Sequence, residues 1–367
     1  MQTGSSLLSS TRSTRAFTAS AARSHVLRSG RTRQRSPCLI VRAENVLIIN
    51  TKGGGHAEIG LHLAKQLLSG GHSVTILNDG DQAKLEKKAP FSQYGTLQDA
   101  KIVWGNPADP ATFPSEKFDV VYDNNGKNMD ACKPAIDHFK GNVAHYVFVA
   151  SAGAYKTNKI EPALLEGDAR KESAGHVAVE KYLQEQDLPY TIFQPLYIYG
   201  PYTGKDYMRF FLDRLLRNRP VLIPSPGIQL TSLSHVEDVA SLLAKVPGNA
   251  AAIQQQFNVS SDRYITLDGL VKALAEAAGV EANIVHYDPK AVKLGKGEGF
   301  PFRTEHFMAI VDKAKRVLGW APTHKILDDI PELVEAYKSA GYLDADVDFS
   351  VDDKILEAVG HKVPALA

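Results

Sequence analysis

The chain has 367 residues, with 42 Lys and Arg against 41 Asp and Glu, and only two cysteines. Two cysteines are too few for a disulfide framework or a cysteine-based zinc site, and no run of about twenty apolar residues is present to span a membrane. The basic residues are unevenly placed. The first 43 residues hold eight Arg and no acid, and removing those eight from the 42 leaves 34 basic residues against 41 acidic, a net charge of −7. That balance argues against non-specific nucleic-acid binding by the surface as a whole, so RNA contact would need a local basic patch.

Residues 1–43 are rich in Arg, Ser and Ala and end in Val41-Arg42-Ala43. They are expected to be a transit peptide, the alternative being a basic tail that contacts nucleic acid. Asn45–Asn50 then predicts a first strand. A glycine-rich turn follows, and the segment IGLHLAKQLLSGG predicts a helix stopped by Gly70-Gly71. Further strands are expected at 72–79, 100–106, 118–126 and 146–153, with helices at 133–140 and 176–186. Alternating buried strands and helices imply an α/β fold, a doubly wound parallel Rossmann-like sheet over 44–200. A smaller mixed C-terminal lobe is expected over 201–345, partly interleaved with the first. It opens with a basic amphipathic helix from Lys205 to Asn218. In SHVEDVASLLAK, Ser234 is expected to cap a helix while Glu237 reaches back. The tail, 346–367, reads as peripheral.

The turn after the first strand carries a damaged phosphate-binding pattern. In a dinucleotide-binding turn, glycines let the backbone approach the pyrophosphate and the helix pack against the strand. Here the spacing G-x-x-G-x-x-G falls on Gly54, Ala57 and Gly60, with His56 and Glu58 inside the turn. A carboxylate there repels a pyrophosphate, and the position that would hold the adenosine ribose is Asn78. Gly54 and Gly60 are therefore read as vestigial cofactor residues.

Tyr197-Ile198-Tyr199-Gly200-Pro201, His235-Val236-Glu237-Asp238-Val239, Phe257-Asn258-Val259 and Leu318-Gly319-Trp320-Ala321-Pro322 follow one another in this order. The order resembles the extended short-chain dehydrogenase/reductase superfamily, whose members are NAD-dependent epimerases and dehydratases. The resemblance implies the fold and not the chemistry. Such enzymes use a Tyr, a Lys four residues later and a nearby Ser. Ser151 suits the last role, but counting back from Glu180 places Glu172 at the Tyr position and His176 at the Lys position. The fourth strand ends in Asp123-Asn124-Asn125, where small residues normally lie beneath the nicotinamide ribose. NAD(P) use and hydride transfer are therefore not expected.

Longer phrases, among them NTKGGGHAEIG, FDVVYDNNGKN, EGDARKESAGHVAVEKYL, GIQLTSLSHVEDV and FPFRTEHF, resemble the chloroplast stem-loop-binding proteins, and within them the a-type branch. Matching phrases run from about Asn45 to Gly360. The resemblance implies a protein of the chloroplast stroma that binds stem-loop, ribosomal or messenger RNA, cuts it weakly with divalent-metal dependence, and associates with the plastid ribosome. It also implies the b-type paralogue and the plastid transcription apparatus as further partners.

Ligands of doubly wound sheets sit outside the carboxyl ends of the strands. Asn106 ends the third strand, Asp123 ends the fourth, and Asp137 falls in the following helix. These offer hard oxygen ligands suited to magnesium, with Asp123 and Asp137 as the metal carboxylates. The family resemblance points at the same three positions. Asn106 equally suits a turn, and Asp137 a solvated helix face. His56 and His176 are candidate general acid and base groups near neutral pH, although a lone His is commonly a structural hydrogen-bonder. For RNA contact, Lys205, Arg209, Arg214, Arg217 and Arg219 accompany Tyr207, Phe210 and Phe211 on one helix. The alternative there is a helix with a buried apolar face and a solvated basic one. Lys156, Lys159, Arg170 and Lys171 offer a second basic rim.

Two other function classes stay open. A sugar-nucleotide epimerase or reductase would hold a nicotinamide cofactor tightly. A non-catalytic scaffold of the plastid ribosome or transcription apparatus would bind without cleaving.

Overall fold

The structure is a computed structural model that describes residues 42–50, 56–295 and 298–361. Residues 1–41 of the expected transit peptide, Gly54 of the turn and the last six residues lie outside the described residues. The described residues from Arg42 onward belong to one compact unit.

Seven parallel strands make the central sheet: β1 (Asn45–Asn50), β2 (Ser73–Asp79), β3 (Ala100–Gly105), β4 (Val120–Asn124), β5 (His145–Val149), β6 (Tyr190–Pro195) and β7 (Gln255–Val259). Their spatial order is β7-β6-β5-β4-β1-β2-β3. This is the doubly wound arrangement, in which the chain reverses its direction of travel between β1 and β4. The first five strands coincide with the sequence expectation. The last one comes from beyond Gly200, so the second half of the chain completes the first layer.

Side-chain alternation sorts each strand between the two faces. Val46 and Ile48 of β1, with Tyr122 of β4, pack against α1 (Ala57–Ser69) on one side. Leu47 and Ile49, with Val121, pack on the other side against α2 (Met129–Phe139) and α3 (Gly175–Glu185). Further along the chain, α4 (Tyr207–Leu215) buries Met208, Phe211, Leu212 and Leu215, spaced three and four apart, against α6 (Leu267–Ala278) and α7 (Ile326–Ser339). Between them in sequence, α5 (Val236–Leu243) joins the α1 side of the sheet through Val236, Val239 and Leu243.

The cap of α5 differs from expectation by one residue. His235 Nδ1, not Ser234, accepts the Glu237 N–H at 3.2 Å, while Ser234 Oγ donates to Val259 O at 2.9 Å. Ser234 is held in a short parallel pairing with Ile198, which turns its hydroxyl toward the neighbouring strand instead of the helix.

Candidate functional site

At the carboxyl edge of the sheet, where the strand order reverses, a cleft of about 860 Å³ opens. The sheet side supplies His56 after β1, Asn106 after β3, Asn124 to Asn128 at the end of β4, and Ser151 after β5. His176 enters from the first turn of α3, and Tyr197, Lys205, Tyr207 and Arg303 close the far side. The structure thus brings together Asn106, His56, His176 and Lys205 of the residues singled out from sequence.

Beneath the cleft runs a row of asparagines, of which Asn124 lines it and Asn50 and Asn78 are fully buried. In the sheet register, Asn50 lies opposite both Asn78 and Asn124, the α1-facing positions at the ends of β1, β2 and β4. Asn124 Nδ2 donates to Asn50 Oδ1 at 2.8 Å and to His56 O at 2.9 Å. Asn50 Nδ2 donates to Ala57 O at 3.0 Å, and Tyr94 OH donates to Asn78 Oδ1 at 2.7 Å. Gly60 is required here for close approach, because a Cβ would stand 2.6 Å from the Asn50 carboxamide. The surviving glycine of the turn pattern therefore admits a protein side chain.

Glu58, 1% exposed in the first turn of α1, sits 2.9 Å from His56 Nδ1. Its negative charge lies at the helix end that attracts anions in dinucleotide folds. At the two positions of the dehydrogenase dyad, Glu172 is exposed and paired with Lys181, while His176 faces the cleft. This residue set does not fit a redox nicotinamide site.

His176 is held well below its ordinary value, to about 4, first by burial and then by the positive charges of Arg170 and Lys127. It is a neutral imidazole at pH 7, able to accept a proton. Gly175 beside it lets the Lys127 carbonyl pass close to the helix start, where any Cβ would collide with it. Asn128 Oδ1 accepts from Ala131 N at 3.1 Å and caps α2. The DNNGKN segment is thereby pinned across the cleft floor, with Lys127 projecting from it.

Three cations line the cleft, Lys127, Lys205 and Arg303, against two acids, Asp79 and Asp130. Arg303 is fixed by donation from Nη2 to Gly153 O at 2.8 Å, by the Phe307 ring 4.2 Å beneath it and by an ion pair with Glu305 at 3.4 Å. Neither Lys127 nor Lys205 makes an ion pair among the described residues. Residues 44–367, with 34 basic against 41 acidic residues, thus present a locally basic concavity. Lys127 and Arg303 escaped sequence reasoning because nothing in their spacing marks them. Each stood inside a phrase that carries the family resemblance, Lys127 in FDVVYDNNGKN and Arg303 in FPFRTEHF, and that was the signal available.

The remaining site expectations are corrected by position. Asp123 shares its face of β4 with Val121, so alternation sends it under α2 and away from the cleft. It is fully buried, with Oδ1 accepting from Asn125 N at 3.0 Å and Oδ2 from Tyr146 OH at 2.8 Å. Desolvation raises its carboxyl to about 6. Asp137 lies on the outer surface of α2, tied to Lys133 and the Tyr182 hydroxyl. The two carboxylates share no partner, and no three metal-ligating side chains converge in the cleft among the described residues. They do not fit a common magnesium site.

The basic helix is also spent internally. Arg214 makes a bidentate pair with Asp352 of the C-terminal helix α8 (Ser350–Ala358), both contacts at 2.7 Å, and stacks on Phe210. Arg219 pairs with Asp353, and Arg217 donates to Tyr337 OH and to the carbonyls of Tyr342 and Ala345. Arg209 lies over the Tyr342 ring and 3.4 Å from Asp213. The arginines bind the C-terminal segment to the fold, so the tail expected to be peripheral is clamped at 350–358, and only Lys205 of the five faces the cleft. In the second rim, Arg170 is taken by Glu180 at 2.6 Å.

A family model described as NAD(P)H-binding matches residues 54–209. Similar solved structures include a UDP-glucose 4-epimerase from Thermotoga maritima, 19% identical, covering 81% of this chain and 99% of its own, at a TM-score of 0.60. A dTDP-glucose 4,6-dehydratase from Bacillus anthracis is 14% identical, with coverages of 82% and 98% and a TM-score of 0.63. At such identities the likeness is one of fold, and it defines the class: an epimerase/dehydratase-like Rossmann fold. Over 314 residues, 83% of this chain and 82% of the relative, the sequence is 36% identical to the chloroplast stem-loop binding protein of 41 kDa b of Arabidopsis thaliana. The chain belongs to the chloroplast stem-loop-binding protein family.

Proposed function

We propose that this is a chloroplast protein that binds structured RNA, with an unpaired stretch of a stem-loop seated in the cleft. The observation that carries this reading is the convergence of Lys127, Lys205 and Arg303 on one concavity, although residues 44–367 carry 34 basic residues against 41 acidic. Phosphates take the cations, while the carboxamides and tyrosines of the lining suit the edges and faces of unstacked bases. Family membership and the relative's name support the same ligand class.

Cleavage, where it occurs, falls to groups that face the cleft. His176, neutral at pH 7, accepts the proton of the attacking hydroxyl. His56, oriented by Glu58 through Nδ1, supplies one to the leaving oxygen. The cations stabilise charge on the phosphate. No step is assigned to magnesium, because Asp123 and Asp137 do not meet. A stromal setting, ribosome association, and partnership with the b-type paralogue or the transcription apparatus rest on the family resemblance. The NAD(P)H-binding match favours one second reading, retention of a nicotinamide cofactor, which measuring cofactor in the purified protein decides.

The test uses residues 42–367 and a labelled stem-loop RNA, titrated with magnesium and with chelator. Retention of the RNA with discrete cuts is expected. Affinity no better than that of an unrelated acidic protein would overturn the reading.

A further inference from the structure

A second cluster of chemistry-bearing side chains lies outside the cleft, where α1, α5 and the segment before α7 meet. His235, Glu237 and His324 each offer a ligand atom, and these atoms all lie within 4.8 Å of one another. None of the three lines the cleft.

The Glu237–His324 separation is that of two ligands on one ion. Glu237 Oε2 is 3.5 Å from His324 Nε2, and Glu237 Oε1 is 3.7 Å from His62 Nδ1. Two ligands held about 2.0–2.2 Å from a tetrahedral zinc stand about 3.3–3.5 Å apart. No donor reaches either Glu237 oxygen at hydrogen-bond distance among the described residues. The carboxylate is half-exposed, which leaves an ion a route from solvent.

The surrounding groups fix the imidazoles in the form a metal needs. His324 Nδ1 is 3.3 Å from Asp329 Oδ1, and the tautomer that donates to Asp329 leaves the lone pair of Nε2 on the Glu237 side. Asp329 is itself oriented by Tyr199 OH, which donates to Oδ2 at 2.6 Å. This carboxylate–imidazole pairing is the usual support behind a metal-bound histidine. Asp238 accepts from Thr323 N and His324 N, each at 2.9 Å, and pins the segment that carries the ligand. On the other side, His62 Nε2 lies 3.4 Å from Pro201 O, which turns Nδ1 toward Glu237. The His235 and His324 rings are stacked at 3.5 Å and 13°, so their in-plane lone pairs run side by side, and one ring must swing out of the stack for both to hold one ion. His235 Nδ1 holds its lone pair on the Glu237 side, where it now accepts the Glu237 N–H. Coordination through that atom replaces the capping hydrogen bond.

We propose that His235, Glu237 and His324 form a site for a borderline divalent transition metal, zinc foremost, with Asp329 orienting His324 and His62 flanking the carboxylate. Two imidazoles and one carboxylate with room for water are a donor set for zinc and not for magnesium. The ion ties the segment before α7 to the first turn of α5.

Isothermal titration of residues 42–367 with zinc chloride is the test, with magnesium chloride as the comparison and cobalt(II) absorption as a report of coordination. One zinc per chain, a rise in thermal midpoint with zinc, and a cobalt spectrum of tetrahedral type are expected. Glu237→Gln and His324→Gln should each lower zinc affinity by at least tenfold, while His286→Gln, at the separate Asp268 contact, should not. Should either site variant misfold, zinc-edge anomalous scattering from wild-type crystals locates the ion directly. Zinc bound with undiminished affinity in Glu237→Gln, or an anomalous peak elsewhere, would overturn the assignment. So would no binding tighter than that of magnesium.

Discussion

The Asn50 side chain occupies the space that a Cβ on Gly60 would need, 2.6 Å away. In a dinucleotide fold the corresponding glycine serves the helix beside the cofactor. Here it serves an asparagine that bonds to Ala57 O and receives Asn124. Gly60→Ala should therefore destabilise the fold by about 1–3 kcal/mol through overpacking. In an Asn50→Ala background the same change should become neutral or stabilising, by up to ~1 kcal/mol of helix propensity. Denaturant midpoints of the four proteins in this cycle decide it. Equal costs in both backgrounds would mean that Asn50 is not what excludes the methyl group.

Arg214 separates two readings of the basic helix. Its guanidinium is buried against Asp352 with bidentate geometry. Removing one partner of a buried pair costs about 3–5 kcal/mol, because the other charge is left uncompensated. Arg214→Ala should lower stability by that order, while RNA affinity under conditions where the variant stays folded should equal wild type. Loss of affinity without loss of stability would return this face to RNA contact.

Buried titratable groups of opposite sign shape the acid response. His145 and His176 are depressed to about 4, chiefly by burial, so the stability they contribute is present above pH 6.5 and lost as pH falls toward 4. Asp123 is raised to about 6 and Glu180 to about 7, again chiefly by burial. Their contribution is present below their unfolded values and lost as pH rises through the folded ones. The two trends oppose each other between about pH 4 and 6.5. Asp123→Asn removes one of the acids, so the variant should gain on wild type between pH 4 and 7 by up to ~3 kcal/mol. Chemical unfolding at several pH values checks this, and a pH-independent difference would contradict the burial of an ionisable Asp123.

The sheet was legible because its strands are short apolar runs bounded by glycine and polar turns, and because five of them alternate with helices within the first half of the chain. Placement of β7 was not, since its pairing with β6 spans more than sixty residues and leaves no local pattern. The site divided along similar lines. Asn106 follows from the rule that strand ends carry ligands, His56 from the turn after the first strand, and His176 from counting back from Glu180. Asp123 stands one residue from Asn124, and the period of two sends one into the core and the other to the cleft. Sequence alone gives that period without its phase. Arg214 and Arg219 read as part of a solvated stripe because their acidic partners lie more than 130 residues away, in α8.

The cleft's role in RNA binding is tested most directly by the salt dependence of RNA affinity in the Lys127→Ala/Lys205→Ala double variant of residues 42–367. Neither ammonium pairs with an acid among the described residues, so the fold should be unaffected. With a labelled stem-loop carrying an unpaired loop, two lost phosphate contacts should weaken binding. They should also reduce the slope of log affinity against log salt by about 1.4, the value for two charges on a single strand. Wild-type affinity and slope in the double variant would contradict the account and place the RNA elsewhere on the surface.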